Sequence, residues 1–108
     1  EIASAYSKAL NGVAMVLPHV PDWADPVWHL YVVRSSVRNQ LQGRLTEAGL
    51  GTLIHYPIPP HMQQAYSGAG ISPDALPLAR RLASEVLSLP IGPHLAMNDA
   101  MAVISAVN

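Results

Sequence analysis

The residues best suited to chemistry lie in one short stretch, His55-Tyr56-Pro57-Ile58-Pro59-Pro60-His61. It places two imidazoles and a phenol at the end of an expected strand and in the rigid loop that leaves it. These groups donate hydrogen bonds to an anionic phosphate, and histidine adds positive charge when protonated. A structural role is the commoner one for such residues, with Tyr56 packed between sheet and helix and the histidines capping loops. The stretch is therefore a candidate binding segment with a structural alternative.

Other chemistries have weaker support in the residue types. The chain has five histidines without the close pairing typical of zinc sites, and it has no cysteine for a thiolate ligand, a nucleophile or a disulfide. Its only lysine, Lys8, falls near the end of an exposed-looking helix without an apolar pocket to activate it as a Schiff-base former. We therefore expect no metal site and no catalytic residue in this chain.

Composition limits the class of protein. A length of 108 residues suits one domain. Half of the residues are apolar and only 12% are charged, so apolar surface should remain for a missing partner surface. The net charge of −1 argues against nucleic acid, and the longest apolar stretch, residues 13–17, is far too short for a membrane span. With neither cysteine nor a signal peptide, the expected compartment is the cytoplasm.

Several elements must position the candidate segment. Helical spacing predicts an opening helix that the chain enters part-way, a helix with Val37, Leu41, Leu45 and Ala48 on one face, and a helix from Pro77 with Leu78, Leu82 and Val86 in a stripe. Ser35 or Ser36 should cap the second helix and Gly49 should end it, and Asn98 should cap a closing helix containing Met101, Ile104 and Val107. Strands are predicted at residues 13–17, 27–34 and 51–56.

These elements predict an α+β fold. Helices and short strands in mixed order, in a chain too short for a doubly wound sheet, favour a small two-layer domain whose helices cover one face of the sheet. The other face would then be buried by another part of the protein.

Four sequence segments resemble one family. They are Trp28-His29-Leu30-Tyr31-Val32-Val33-Arg34 with the helix after it, Ala48-Gly49-Leu50-Gly51-Thr52-Leu53-Ile54-His55-Tyr56-Pro57, the set Pro59, His61, Gln63 and Tyr66, and Glu85-Val86-Leu87-Ser88-Leu89-Pro90. In this order and spacing they resemble the C-terminal region of the DegT/StrS-type sugar aminotransferases. The resemblance covers essentially the whole chain.

The resemblance implies a fold and a parent enzyme. The implied fold is the C-terminal small domain of a fold type I aminotransferase in the aspartate aminotransferase superfamily, with a short, mostly antiparallel sheet. Residues 1–12 would end an interdomain helix, and residues 13–108 would form the small domain. The implied enzyme is a homodimer that uses pyridoxal phosphate (PLP) to move an amino group from glutamate to a nucleotide-linked keto-sugar.

The same resemblance divides the roles between domains. The catalytic lysine and the cofactor site would lie in a missing N-terminal large domain, so this portion alone should bind no PLP and be inactive. His55 and Tyr56 would contact the nucleotide-sugar substrate, and His61 is a further candidate in the same loop.

Two alternatives remain open from the sequence. A free-standing α+β interaction or ligand-binding module would have the same size and apolar excess. A PLP aminotransferase with a non-sugar substrate would share the small-domain fold without the sugar site.

Overall fold

The computed structural model describes residues 1–108 and contains four α-helices, two short 3₁₀ helices and a two-stranded sheet. In chain order the elements are α1 (Ile2–Ala9), β1 (Tyr31–Arg34), α2 (Arg38–Glu47), the 3₁₀ helices Pro60–Met62 and Gln64–Ala69, α3 (Pro77–Glu85), β2 (Val86–Leu89) and α4 (Met97–Val107). The predicted α+β class is confirmed. None of the helices has the length and apolar character needed to cross a bilayer.

The sheet presents one apolar face to the helices. Strands β1 and β2 are antiparallel, with Tyr31 opposite Leu89 and Val33 opposite Leu87. All four side chains are buried, as expected when alternate residues of paired strands share a face. This face forms the centre of the core.

Each edge of the sheet carries one further antiparallel bridge. Val16 exchanges two backbone hydrogen bonds with Arg34 of β1, and Leu53 exchanges two with Ser88 of β2. The strands predicted at 13–17 and 51–56 are therefore reduced to single bridges. Their outer edges have no further neighbour, so nothing extends the ladder, and both Val16 and Leu53 are largely exposed.

The strand predicted at 27–34 is correct only over its second half. Pairing begins at Tyr31, and Val27 is 98% exposed. Trp28 nevertheless packs on the core, with its ring centroid 5.3 Å from that of Tyr31. Residues 27–30 have strand composition but no neighbouring backbone to pair with.

Helices α1, α2 and α4 supply most of the remaining core. The buried apolar cluster contains Ala3, Tyr6, Leu10, Tyr31, Val33, Leu41, Leu45, Leu87, Leu89, Ala100, Val103, Ile104 and Val107. Helix α4 packs against both α1 and α2. The predicted α2 face is right for Leu41 and Leu45, whereas Val37 is half exposed because it precedes the helix. In α4, the predicted core residue Met101 is instead 51% exposed.

The helix ends follow backbone geometry more than capping side chains. Gly49 has a φ of +76°, and the Leu50 N–H donates to the Leu45 carbonyl, which ends α2 as predicted. Ser35 accepts a hydrogen bond from the Val37 N–H, so it orders the turn before α2 without capping its first helical turn. The predicted cap Asn98 is wrong, because α4 begins at Met97 and Asn98 lies inside it.

Helix α3 lies at the margin of the core. Only Ala83 is buried, and Leu78 is 65% exposed, so the predicted apolar stripe is not a core stripe. Val86, which the helical stripe included, is instead the first residue of β2. A buried Arg38 ties α2 to this junction, since its guanidinium donates to the Val86 carbonyl at 3.0 Å.

Candidate functional site

The edge bridge of Leu53 positions the candidate segment. Because Leu53 is paired with β2, the chain enters His55 along the sheet edge, and Pro57 then prevents further pairing. His55 is half buried, and its Nδ1 atom lies 2.8 Å from the Ser88 hydroxyl oxygen. The peptide bond between His55 and Tyr56 is cis. The hydrogen bond with Ser88 ties the imidazole to β2.

Ser88 belongs to the candidate site although no local sequence pattern predicts it there. It is 4% exposed on β2, 33 residues from His55 along the chain. The only signal for it was its place in the Leu-Ser-Leu-Pro segment, where a polar residue interrupts buried apolar ones.

Tyr56 lies beside His55 on the surface. Its ring meets that of His55 edge to face, with centroids 5.4 Å apart, and its side chain is 70% exposed. The structural alternative, in which Tyr56 packs between sheet and helix, is therefore wrong. The phenol is free to contact a ligand or another protein surface.

His55 and Tyr56 together line a groove of about 320 Å³ between their loop and α3. The remaining lining residues are Ile58, Pro59, Pro60, Gln63, Ala79, Leu82, Ala83 and Val86. The walls are mainly apolar, with an imidazole, a phenol and an amide as the polar groups. Such a mixture suits a ligand with a flat or apolar body and a few hydrogen-bonding oxygens.

His61 is placed apart from these two residues. It is 7% exposed, it does not line the groove, and its Nε2 donates to the Pro73 carbonyl at 3.2 Å. Its Nδ1 is buried without a hydrogen-bond partner. In this conformation His61 ties the first 3₁₀ helix to the loop before α3.

Lys8 is the only lysine of the chain and so its only candidate for a Schiff base. Lys8 is exposed in the last turn of α1, and no hydrogen bond or ion pair involves its ammonium group. A Schiff-base lysine lies in a desolvated pocket or beside another cation, and Lys8 is exposed instead. No group of three or more His, Cys, Asp or Glu residues is arranged to hold a metal ion.

Burial in the core raises the pKa of two tyrosines, Tyr6 and Tyr31. Burial, with a smaller effect from Tyr31, raises the pKa of Tyr6 to about 12. Burial also raises the pKa of Tyr31, against the opposing effect of its hydrogen bond with Ser7. Both phenols therefore act as neutral structural groups.

Arg81, Glu85 and Arg34 form a cluster of two ion pairs that share the Glu85 carboxylate. Arg81 Nε lies 2.7 Å from Glu85 Oε1, and Arg34 Nη2 lies 2.8 Å from Glu85 Oε2. Hydrogen bonds from Arg81 first and Arg34 second lower the pKa of Glu85. The cluster joins the end of β1 to the end of α3.

Apolar surface remains outside the core, as the composition predicted. A cavity of about 450 Å³ near the start of α1 is lined largely by apolar side chains, including Ile2, Trp28, Ile91 and Met97. Trp23 is 87% exposed in the loop before β1. Exposed apolar area of this kind is typical of a surface that meets another protein surface.

Comparison with known proteins matches the whole chain to one family of aminotransferases. The sequence model of the DegT/DnrJ/EryC1/StrS aminotransferase family matches residues 1–108. The erythromycin biosynthesis sensory transduction protein EryC1 of Saccharopolyspora erythraea is 48% identical over 107 residues, covering 98% of this chain and 29% of that protein. The dTDP-3-amino-3,4,6-trideoxy-alpha-D-glucose transaminase of Streptomyces venezuelae is 44% identical over 107 residues, covering 98% of this chain and 28% of the enzyme.

A solved structure matches the fold closely. The crystal structure of S. venezuelae DesV in complex with a ketimine intermediate superposes with a TM-score of 0.95 and 44% identity, covering 98% of this chain and 29% of that one. The chain thus spans less than a third of the length of the relatives it matches.

Proposed function

The chain belongs to the DegT/DnrJ/EryC1/StrS aminotransferase family, and we propose that it serves as the C-terminal small domain of an enzyme that transfers an amino group from glutamate to a nucleotide-linked keto-sugar. The family is PLP-dependent, and the cofactor supplies the amino-transfer chemistry. Since Lys8, the only lysine of this chain, lies exposed on α1, we assign the Schiff-base lysine and the cofactor pocket to the rest of the parent protein. Residues 1–12 are assigned to the end of the interdomain helix and residues 13–108 to the small domain.

The groove of His55 and Tyr56 is the observation that carries the substrate assignment. It combines apolar walls with the Nε2 nitrogen of His55 and the phenol of Tyr56, neither of which has a hydrogen-bond partner within the chain. An imidazole and a phenol are good donors to phosphate and sugar oxygens, and apolar walls suit a base or a sugar ring. The 44% identical S. venezuelae relative, whose name specifies a dTDP-linked amino sugar, supports a dTDP-linked substrate.

We assign the small domain a positioning role. By closing one wall of the site, His55 and Tyr56 would orient the nucleotide-sugar and help to exclude water. His61 would help to fix the position of this segment, because its side chain donates a hydrogen bond to the Pro73 carbonyl. Direct contact of His61 with substrate would require its ring to leave its buried position.

The exposed apolar surface supports the proposed partners. We assign it to contact with the large domain and with a second subunit, because the cavity near α1 and exposed Trp23 give two separate apolar regions. The absence of cysteine supports a cytoplasmic parent enzyme.

Steady-state kinetics of the full-length parent protein test this function. With glutamate and a dTDP-linked keto-sugar, the double variant His55→Ala/Tyr56→Ala should raise the KM for the sugar nucleotide by about tenfold or more, since two hydrogen-bonding groups are lost. The matched variant His19→Ala, which changes an exposed histidine outside the groove, should leave KM unchanged. Unchanged kinetics in the double variant would sink the substrate assignment.

A non-sugar aminotransferase is the second candidate. The small-domain fold alone would serve it equally, because function follows from the site and not from the fold. Amino transfer to the keto partners of amino acids, with none to sugar nucleotides, would favour it. A free-standing module is disfavoured by the family match over the whole chain.

A further inference from the structure

Ser88 has a hydroxyl with one partner. Its backbone is fully used by the sheet, since its N–H donates to the Leu53 carbonyl at 2.8 Å and its carbonyl accepts from the Leu53 N–H at 3.3 Å. Ser88 is only 4% exposed, and the only hydrogen-bond partner of its hydroxyl oxygen is His55 Nδ1. A buried hydroxyl lowers the free energy of unfolding unless it forms a hydrogen bond within the protein.

The direction of this hydrogen bond follows from the available groups. A serine hydroxyl carries one hydrogen, and the only protein acceptor within hydrogen-bonding distance is the Nδ1 lone pair of a neutral His55. If Nδ1 carried the proton instead, Ser88 would accept and its own buried hydrogen would have no acceptor. The favoured arrangement is therefore a Ser88 hydroxyl that donates to Nδ1, which places the ring proton on Nε2.

Nε2 is the nitrogen left for a ligand. It has no hydrogen-bond partner in the protein and is not among the enclosed unpartnered atoms. The His55 ring borders both the 320 Å³ groove and a smaller cavity of about 130 Å³ next to Ser88. A ligand in this region would meet an N–H donor rather than a nitrogen lone pair.

We propose that Ser88 is a positioning residue that holds His55 as the Nε2–H tautomer, so that the site recognises a hydrogen-bond acceptor oxygen of its substrate. This inference rests on the proposed function for the identity of the substrate. The acceptor belongs either to the phosphates or to the keto-sugar, and both present oxygens of this kind.

A double-mutant cycle in the full-length parent protein separates this role from simple packing. Ser88→Ala should raise the KM for the dTDP-linked keto-sugar by about two- to tenfold, the usual effect of one lost hydrogen bond, with kcat nearly unchanged. In a His55→Ala background the same substitution should have no further effect, because Ser88 acts through His55. An equal effect in both backgrounds, or no effect in either, would overturn the proposal.

Two further variants control for folding. Ser88→Thr keeps the hydroxyl that donates to His55, so the wild-type KM should return. Ser84→Ala removes an exposed hydroxyl that donates to the Arg81 carbonyl on α3, and KM should not change. Failure of Ser88→Thr to restore KM, with the thermal midpoint intact, would count against the proposal.

Inhibition by dTDP alone identifies the source of the acceptor oxygen. A weaker dTDP inhibition in Ser88→Ala supports a phosphate oxygen, whereas an effect confined to the keto-sugar substrate supports a sugar oxygen.

Nitrogen NMR of the histidine-labelled full-length protein tests the tautomer without any turnover. The chemical shifts should show an unprotonated Nδ1 in wild type and loss of that bias in Ser88→Ala. A protonated Nδ1 in neutral wild-type His55 would overturn the inference even if sugar amination is observed. Absence of sugar amination with the expected tautomer would refute the proposed substrate and not the Ser88–His55 relationship.

Discussion

The Tyr6 hydroxyl donates a hydrogen bond of 2.7 Å to the carbonyl oxygen of Pro90, 84 residues away in the chain. This contact joins α1 to the residue that follows β2. The Tyr6 ring also meets the Tyr31 ring edge to face, with centroids 5.1 Å apart. The same side chain therefore contacts the first residue of β1 and the residue after β2. It therefore connects the first helix, which is assigned to the interdomain helix, with the sheet that positions Ser88 and His55.

Removing this hydroxyl should cost stability. Tyr6→Phe keeps the ring packing but leaves the Pro90 carbonyl without its donor, so the free energy of unfolding should fall by about 1 kcal/mol. Urea denaturation checks this value. Tyr66→Phe is the matched control, since Tyr66 is 53% exposed and its hydroxyl has no partner, and its effect should stay within about 0.5 kcal/mol. Equal effects of the two variants would contradict the role given to Tyr6.

The free energy of unfolding should also fall at alkaline pH, because the buried Tyr6 phenol favours its protonated form. Its pKa is raised from 10.0 to about 12 in the folded state, so folding favours the protonated phenol. The corresponding stability is fully present below pH 10 and is lost as pH rises toward 12. Denaturation of wild type and Tyr6→Phe over this range should show their stability difference shrinking. A difference that stays constant would contradict burial as the cause.

Acid should weaken the Glu85 cluster. Because Arg81 and Arg34 lower the pKa of Glu85, its contribution is present above the ordinary value of 4.5 and is lost as pH falls below it. Glu85→Gln should thus be less stable than wild type at neutral pH and approach it in acid. Glu47→Gln, in an exposed α2 residue without an ion pair, should show no such convergence. Parallel pH profiles for wild type and Glu85→Gln would refute the prediction.

Two glycines should respond to alanine with opposite signs. A Cβ at either Gly43 or Gly49 would meet no atom within 4 Å, so backbone conformation alone decides the outcome. Gly43→Ala, inside α2, should stabilise by about 0.5–1 kcal/mol, because alanine is the better helix former. Gly49→Ala, at φ +76°, should destabilise by about 1–2 kcal/mol. Thermal or urea unfolding that gave both variants the same sign would contradict this reading.

The sequence predicted the parts of the fold that depend on local pattern. The core positions Leu41 and Leu45 and the end of α2 at Gly49 follow from spacing and backbone preference, and all three are confirmed. Strand extents were less accurate, because residues 13–17 and 51–56 have strand composition but only one pairing partner each. The predicted helical stripe runs one residue too far, into Val86 at the start of β2, since no turn residue separates β2 from α3.

The candidate site was partly accessible from sequence. His55 and Tyr56 stood out by residue type beside a rigid loop, and the structure places both at one groove. Their partner Ser88 could not be found by local spacing, because the sheet brings it to His55 from 33 residues away. The burial of His61 likewise depends on its contact with Pro73, 12 residues further along the chain.

The most direct test of the account is to follow the nitrogen itself in the full-length parent protein. Glutamate carrying a heavy nitrogen label is supplied with PLP and a dTDP-linked keto-sugar, and the sugar nucleotide is analysed by mass spectrometry. The account predicts the label in an amino sugar that remains attached to dTDP. Label found only in amino acids formed from keto acids, with none in the sugar nucleotide, would contradict it.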